Sequence, residues 1–294
     1  MNEGPLKKIW VAGEALIDLV PLNGEVKAIV GGGPANTAKA LAKLRCDVSF
    51  IGGISSDSYG AAIREELHAV DLSLALESEL PTALAEVSLD SSGSASYKFT
   101  LDGTATFDFH NSWLPNGSPD VLHIGTLATI VEFGASELYS WAKGLDSVIV
   151  FDPNVRSSVL SDAGKYREIF ESWALISKVV KMSEEDLHFL GYSGGEEVHE
   201  LGPELVVVTR GADGMEGITS EGVVSVPGVK VEVVDTVGAG DTVGAILIEG
   251  LLRYGFDDLR GENLFTVLTR ATRAAAITCS RAGANPPSSK ELEL

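Results

Sequence analysis

The sequence predicts an α/β protein: a mostly parallel sheet flanked by helices, with a small β lid. Three observations carry that expectation. Short apolar runs at 9–13, 121–125, 148–152, 179–182 and 205–209 read as buried strands, since strands covered on both faces lose the alternation of half-exposed ones. Helix-like stretches at 34–44, 61–69 and 132–143 separate them, and strand–helix alternation builds a parallel sheet. One stretch, 83–101, breaks the pattern with a period of two. Ala85, Val87 and Leu89 alternate with Glu86, Ser88 and Asp90; past a Ser/Gly turn at 91–94, Tyr97, Phe99 and Leu101 alternate with Lys98 and Thr100. That is a hairpin with one apolar face. Such a hairpin is either an edge extension of the main sheet or a lid. A second strand-rich segment at 16–30 favours the lid, as part of a small separate sheet. The expected organisation is one domain, 1–294, with lid strands inserted at about 16–30 and 83–110.

Composition narrows the partners. A chain of 294 residues can bury a large core. Lys plus Arg number 22 against 42 Asp plus Glu, a net charge of -20, which argues against nucleic acid and anionic membrane surfaces. Any phosphate-bearing ligand must then be held locally, by backbone amides, a cation and a few basic side chains. The two cysteines, Cys46 and Cys279, form neither a metal-ligand spacing nor a disulfide framework, so a reducing, cytoplasmic setting is expected. Residues 1–8 are polar and lead straight into Ile9-Trp10-Val11; neither a signal peptide nor a membrane span is expected.

The strongest local signal is Asp235-Thr236-Val237-Gly238-Ala239-Gly240-Asp241. A β-type run at 229–234 precedes it, and a helix pattern with Val243, Leu247, Leu251 and Tyr254 on one face follows. The small residues at this strand-to-helix turn let the backbone approach a ligand, and the amides of the first helical turn favour an anion. The helix terminus keeps Asp241 ionised, able to take a proton from a hydroxyl. Anion hole and proton acceptor together are what delivery of a phosphoryl group to an alcohol requires. Asp241 as a plain helix cap is the competing reading, but a cap has no need of the Gly-Ala-Gly run before it.

A second signal is Gly31-Gly32-Gly33-Pro34-Ala35-Asn36, a glycine turn opening a helix. A dinucleotide fingerprint needs glycine where Asn36 stands, so that reading fails. Asn36 both donates and accepts, which suits a polyhydroxylated ligand; support of a tight turn explains it equally well. The chain has no Walker-type run.

From about 9 to 284 the chain resembles the ribokinase-like (PfkB-type) carbohydrate kinases, and within them the fructokinases. The run ending in Asp241 matches that family's most specific motif; the resemblance makes Asp241 the catalytic base and Gly238, Ala239 and Gly240 the anion hole. Gly32, Gly33 and Asn36 match its sugar-holding motif, and Gly13-Glu14-Ala15-Leu16-Ile17-Asp18 its first strand, which assigns Asp18 to sugar hydroxyls. Asp152-Pro153-Asn154-Val155-Arg156 resembles a run whose arginine approaches the transferred phosphate, here Arg156. Val208-Thr209-Arg210-Gly211-Ala212-Asp213-Gly214 resembles the nucleotide turn, giving Thr209, Gly211 and Gly214. Gly103-Thr104-Ala105 falls where the lid returns. There are departures. The family's Asn-x-x-Glu motif stands here as Ser183-Glu184-Glu185-Asp186, so Ser183 goes to the nucleotide and either Asp186 or Glu185 to the metal through water. Ser55 and Thr272 replace a glycine and an asparagine of the family.

The resemblance implies phosphoryl transfer from ATP with Mg²⁺ to a primary hydroxyl of a small sugar, fructose by preference. Ketodeoxygluconate, ribose, a nucleoside or an aminoimidazole riboside are alternatives. An acidic sugar would want a basic residue from the lid side, where Lys98 lies. The rival from another class is a catalytically silent sugar-binding regulator. A K⁺ site near Asp235 and a homodimer through the lid follow from the resemblance alone.

Overall fold

The computed structural model describes residues 8–22, 25–89 and 95–293; the turn expected at 91–94 lies outside them. In chain order the strands are β1 (Ile9–Ala12), β2 (Leu16–Leu22), β3 (Glu25–Gly31), β4 (Val48–Ile51), β5 (Gly53–Ser55), β6 (Leu76–Ser78), β7 (Leu84–Leu89) and β8 (Ala95–Thr100). They continue with β9 (Val121–Gly125), β10 (Val148–Asp152), β11 (Val179–Ser183), β12 (Leu205–Thr209), β13 (Met215–Thr219) and β14 (Gly222–Val226). The longer helices are α1 (Gly33–Lys43), α2 (Ser58–Glu66), α3 (Gly134–Lys143) and α4 (Ala163–Ile176). After them come α5 (Glu184–Leu190), α6 (Gly195–His199), α7 (Ala239–Tyr254) and α8 (Gly261–Cys279).

The main sheet has the order β14-β13-β12-β11-β10-β9-β1-β4. Six strands run parallel, and β13 and β14 extend one edge antiparallel. Alternate residues of its strands feed two cores. Val11, Phe50, Val121, Val150 and Val207 pack with Leu41, Ile246 and Leu268 of α1, α7 and α8. Trp10, Leu122, Ile149, Phe151 and Val206 pack with Leu138, Phe170 and Val198 of α3, α4 and α6. Burial on both sides explains why these strands read as continuous apolar runs.

The lid is a separate sheet of order β3-β2-β7-β8. Its registers set its faces. Asp18 lies beside Ile29 and Ala85, and Ala85 beside Phe99, so these four share one face. Leu19, Ala28, Glu86 and Lys98 share the other. Residues 13–15 and 31–32 are the chain's two early crossings between main sheet and lid.

One expected element is absent. The run 229–234 is not a strand: its valines 229, 231, 233 and 234 are exposed, and its end is tied by the amides of Val234 and Asp235 to the Cys279 carbonyl. Alternating β-branched residues mimic a strand, yet β14 already closes that edge and the segment finds no partner.

Candidate active site

The carboxyl ends of β1, β9, β10, β11 and β12 and the first turns of α1 and α7 converge at one end of the sheet. Connections leave a parallel sheet there, and helix N-termini point back at the same place.

Asp241 sits in the first turn of α7 and is buried. Gly238, the N-cap, has φ 78, and a Cβ there would lie 2.6 Å from the Ala284 Cβ. Only glycine meets both demands. Thr242 pins the turn, its hydroxyl donating to the Gly238 carbonyl at 2.8 Å and lying 3.0 Å from Thr278 Oγ1 of α8. Asn36, one turn into α1, donates from Nδ2 to Asp241 Oδ2 at 2.8 Å. The glycine turn before α1 allows this approach: Gly32 has φ 108, and a Cβ there would lie 2.5 Å from the Glu14 carbonyl oxygen. At Gly33 a Cβ would lie 2.7 Å from Thr126 Oγ1, 3.3 Å from Asp241 Oδ1 and 3.4 Å from Asn154 Nδ2. The missing side chain of Gly33 thus leaves a small space walled by the Asp241 carboxylate, an amide and a hydroxyl.

Burial and the neighbouring Asp152 push the Asp241 carboxyl up to about 6, against the lowering effects of Lys181, Asn36 and Arg156. The helix terminus alone suggests an ordinary, fully ionised acid; burial outweighs it, yet the group is still mostly charged at neutral pH. Asp18, on the lid, is raised to about 6 by burial, and Arg156 acts against that. Glu14, between β1 and β2, is fully buried and raised to about 7 by that burial; it accepts the Ala128 amide at 3.0 Å.

Arg156 follows β10 and is half-buried. Its Nη1 donates to Asn154 Oδ1 at 2.6 Å, and its amide donates to the Tyr166 hydroxyl at 3.2 Å. Its charge lowers the values of Asp18, Glu14 and Asp241, on the lid, at the β1–β2 crossing and in the first turn of α7. Asp186 holds this loop: Oδ1 accepts the Val155 amide at 2.8 Å, and Oδ2 accepts the Ser183 amide at 2.8 Å. Ser183 in turn caps α5 by accepting the Asp186 amide at 3.0 Å. The shorter acid at 186 therefore completes a capping box and anchors the Arg156 loop. Glu185 is exposed on the same turn.

On the far side, Thr209 ends β12 beside Ser183. Gly211 is exposed, and Gly214, with φ 102, is buried where a Cβ would meet the Val226 carbonyl at 2.1 Å. Two of the departures have local partners: Ser55 Oγ accepts the Asp57 amide at 3.0 Å, and Thr272 donates within α8 to the Thr269 carbonyl at 2.9 Å. Lys98 lies on the lid face opposite Asp18, 3.5 Å from Glu86.

Sequence reasoning missed Lys181 and Asp152. Both are buried, and Lys181 Nζ donates to Asp152 Oδ2 at 2.8 Å. A lysine inside the apolar run Val179-Val180-Lys181-Met182 was the available signal. Asn154 and Thr126, which wall the space at Gly33, were also missed; their positive φ angles of 37° and 59° cannot be read from sequence.

A model of the pfkB family of carbohydrate kinases matches residues 6–291. A fructokinase of Rhizobium leguminosarum bv. trifolii is 36% identical, over 83% of this chain and 79% of its own. The structure of a Vibrio cholerae O395 fructokinase with fructose, ADP and calcium ion is 28% identical, covers 98% of both chains and superposes with a TM-score of 0.85. A double mutant from that organism, with fructose, ADP and potassium ion, is 26% identical over 99% of both chains, TM-score 0.87.

Proposed function

The chain belongs to the pfkB family of carbohydrate kinases, and from that premise we propose that it is an ATP-dependent fructokinase with Asp241 as its base. The observation that carries the reading is the buried Asp241 carboxylate, held by Asn36 at a helix N-terminus and facing the space beside Gly33. A primary hydroxyl of fructose placed there attacks the γ-phosphorus of ATP. Its proton passes to Asp241, the bond from the γ-phosphorus to the bridging oxygen breaks, and ADP leaves. The amides from Gly238 to Asp241 and the guanidinium of Arg156 stabilise the charge on the moving group. Asp18, Gly32, Gly33 and Asn36 hold the sugar, and the lid excludes water. Thr209, Gly211, Gly214 and Ser183 hold the nucleotide.

The described residues contain no group of three or more His, Cys, Asp or Glu side chains able to hold a metal. Magnesium keeps several waters of its own, and when bound it would neutralise phosphate charge. Asp186 or Glu185 would reach it through water. Asp235, which accepts the Val237 and Gly283 amides at 3.0 Å and 2.9 Å, lies in the region we assign to K⁺. No helix of the described residues is long and apolar enough to cross a membrane. The two free cysteines, Cys46 and Cys279, support our placing the enzyme in the cytoplasm. We also assign a homodimer to the lid, whose edge strand β3 exposes Val26 and Ile29.

Asp241→Asn tests the assignment. Turnover of ATP with fructose is expected to fall roughly 10²–10⁴-fold, with fructose affinity little changed; near-normal turnover sinks it. A panel adding ribose, nucleosides and sugar acids tests the acceptor, and binding of fructose without any turnover would instead favour a silent regulator.

A further inference from the structure

Lys181 and Asp152 form the most enclosed ion pair among the described residues, with side chains 5% and 3% exposed. The mechanism above uses neither. They occupy neighbouring strands, and the pair projects toward the carboxyl end of the sheet from within the core. Two observations place it against the base. A Cβ on Gly240 would lie 2.9 Å from Lys181 Nζ, so the ammonium rests directly under the first turn of α7. Asp152 Oδ1 is buried without a hydrogen-bond partner, leaving that carboxylate half-compensated beside Asp241.

Two carboxylates buried side by side do not both stay ionised unless a positive charge is fixed near them. The surroundings offer few candidates. From β9 comes His123, which burial and Lys181 hold neutral, its pKa down at about 3. From the loop after β10 comes Arg156, whose head is folded onto Asn154. From α5 comes another acid, Asp186, and from the β1–β2 crossing Glu14. From α1 comes neutral Asn36. Lys181 is the cation packed under the turn itself. Burial works against its charge, but Asp152, with Asp241 and Asp186, holds the ammonium above its ordinary value.

We propose that Lys181 is a positioning residue for the base: anchored by Asp152, it supplies the fixed positive charge that lets Asp241 stand as a carboxylate in this buried turn. The small residue at 240 is then needed twice, to open the anion hole and to admit the ammonium. Asp152 acts as the clamp that fixes Lys181, at the expense of its own repulsion of Asp241. The proposal rests on Asp241 being the base.

The test is the pH profile of kcat for ATP consumption with fructose, measured on wild type, K181M, the double variant K181M/D152N, and D241N. Wild type is expected to lose activity as the pH falls through about 6, the value of Asp241. In K181M the acid limb should move up by about 1–3 pH units, the size of a nearby opposite charge's effect, with rate recovering in alkali. In K181M/D152N both charges are gone, and a buried pair replaced by neutral groups usually folds without loss; the limb should return toward wild type. This return distinguishes charge balance from a direct hold on ATP, which predicts a raised KM for ATP and no recovery. A limb unmoved in K181M, or a double variant as impaired as the single one at every pH, overturns the proposal. If K181M does not fold, D152N decides in its place: losing the repulsion of Asp152 while the ammonium stays, it should move the acid limb down, and a limb unmoved or moved up overturns the proposal. An active D241N overturns the base assignment and this proposal together; an inactive D241N with an unmoved limb in K181M overturns this proposal alone.

Discussion

Replacing Gly33 by alanine separates stability from activity. Its φ lies outside the left-handed region and it opens α1, so the backbone accepts a side chain there. Removing a glycine lowers the entropy of the unfolded chain, worth about 0.4–1 kcal/mol of stability. Against this stands a methyl 2.7 Å from Thr126 Oγ1, 3.3 Å from Asp241 Oδ1 and 3.4 Å from Asn154 Nδ2. Relief of the shortest contact requires a shift of roughly 1 Å to reach ordinary carbon–oxygen separation. The two effects nearly cancel, and Tm should stay within about 4 °C of wild type. The site fares differently, because the methyl fills the space assigned to the attacking hydroxyl. A misplacement of about 1 Å costs on the order of 10²-fold in rate, or about 2.7 kcal/mol of transition-state stabilisation. The assay couples ADP release to an optical signal at saturating ATP, with fructose titrated, and circular dichroism follows the melt. A variant with kcat/KM within about threefold of wild type, a change of only ~0.7 kcal/mol, refutes the placement of the sugar beside Gly33.

Two further outcomes test the lid and its crossing. Glu14 in the folded chain is raised by burial to about 7 from 4.5, so folding favours its protonated form. Its contribution is fully present below the unfolded value and is lost as pH rises through 7, a difference of roughly 3 kcal/mol. Glu14→Gln should therefore melt higher than wild type above pH 7 and match it near pH 4.5; parallel Tm curves would count against this. Lys98, 77% exposed on the face away from Asp18 and paired with Glu86, should be dispensable. Lys98→Ala is expected to leave the KM for fructose unchanged, and a tenfold rise (about 1.4 kcal/mol) would put the residue on the sugar side after all.

The legible parts of this chain were those whose residue types admit one physical use. β9, β10 and β12 coincide with their apolar runs because burial on both faces leaves mainly apolar residues, His123 of β9 apart. The turn before Asp241 was legible because glycine at 238 and 240 is demanded by φ and by close approach. β4 was missed: Ser49 interrupts its four residues, whereas the equally short β1 is apolar throughout. The valines of 229–234 misled because alternation encodes a strand only when an edge is open to pair. Lys181 carried a signal, its place inside an apolar run, but one that names no partner. A lysine in a strand reads as a solvent-facing residue, and its burial depends on Asp152, 29 residues earlier in the chain and next to it in the sheet.

The acidic surface and the built site belong to one electrostatic argument. A net charge of -20 repels a nucleotide at long range, so binding must be won at short range, where surface charge is screened within about 8 Å at physiological salt. In the proposed site that role falls to groups that screening hardly reaches, the first-turn amides of α7 and Arg156 tied to Asn154. The same arrangement accounts for an acid that is both buried and charged. Left alone in this turn, Asp241 would be driven neutral by desolvation and unable to take a proton. Lys181, Asn36 and Arg156 each return part of that cost, leaving a carboxyl near 6, a value that suits the proposed base, which has to accept a proton in the transition state and give it up afterwards.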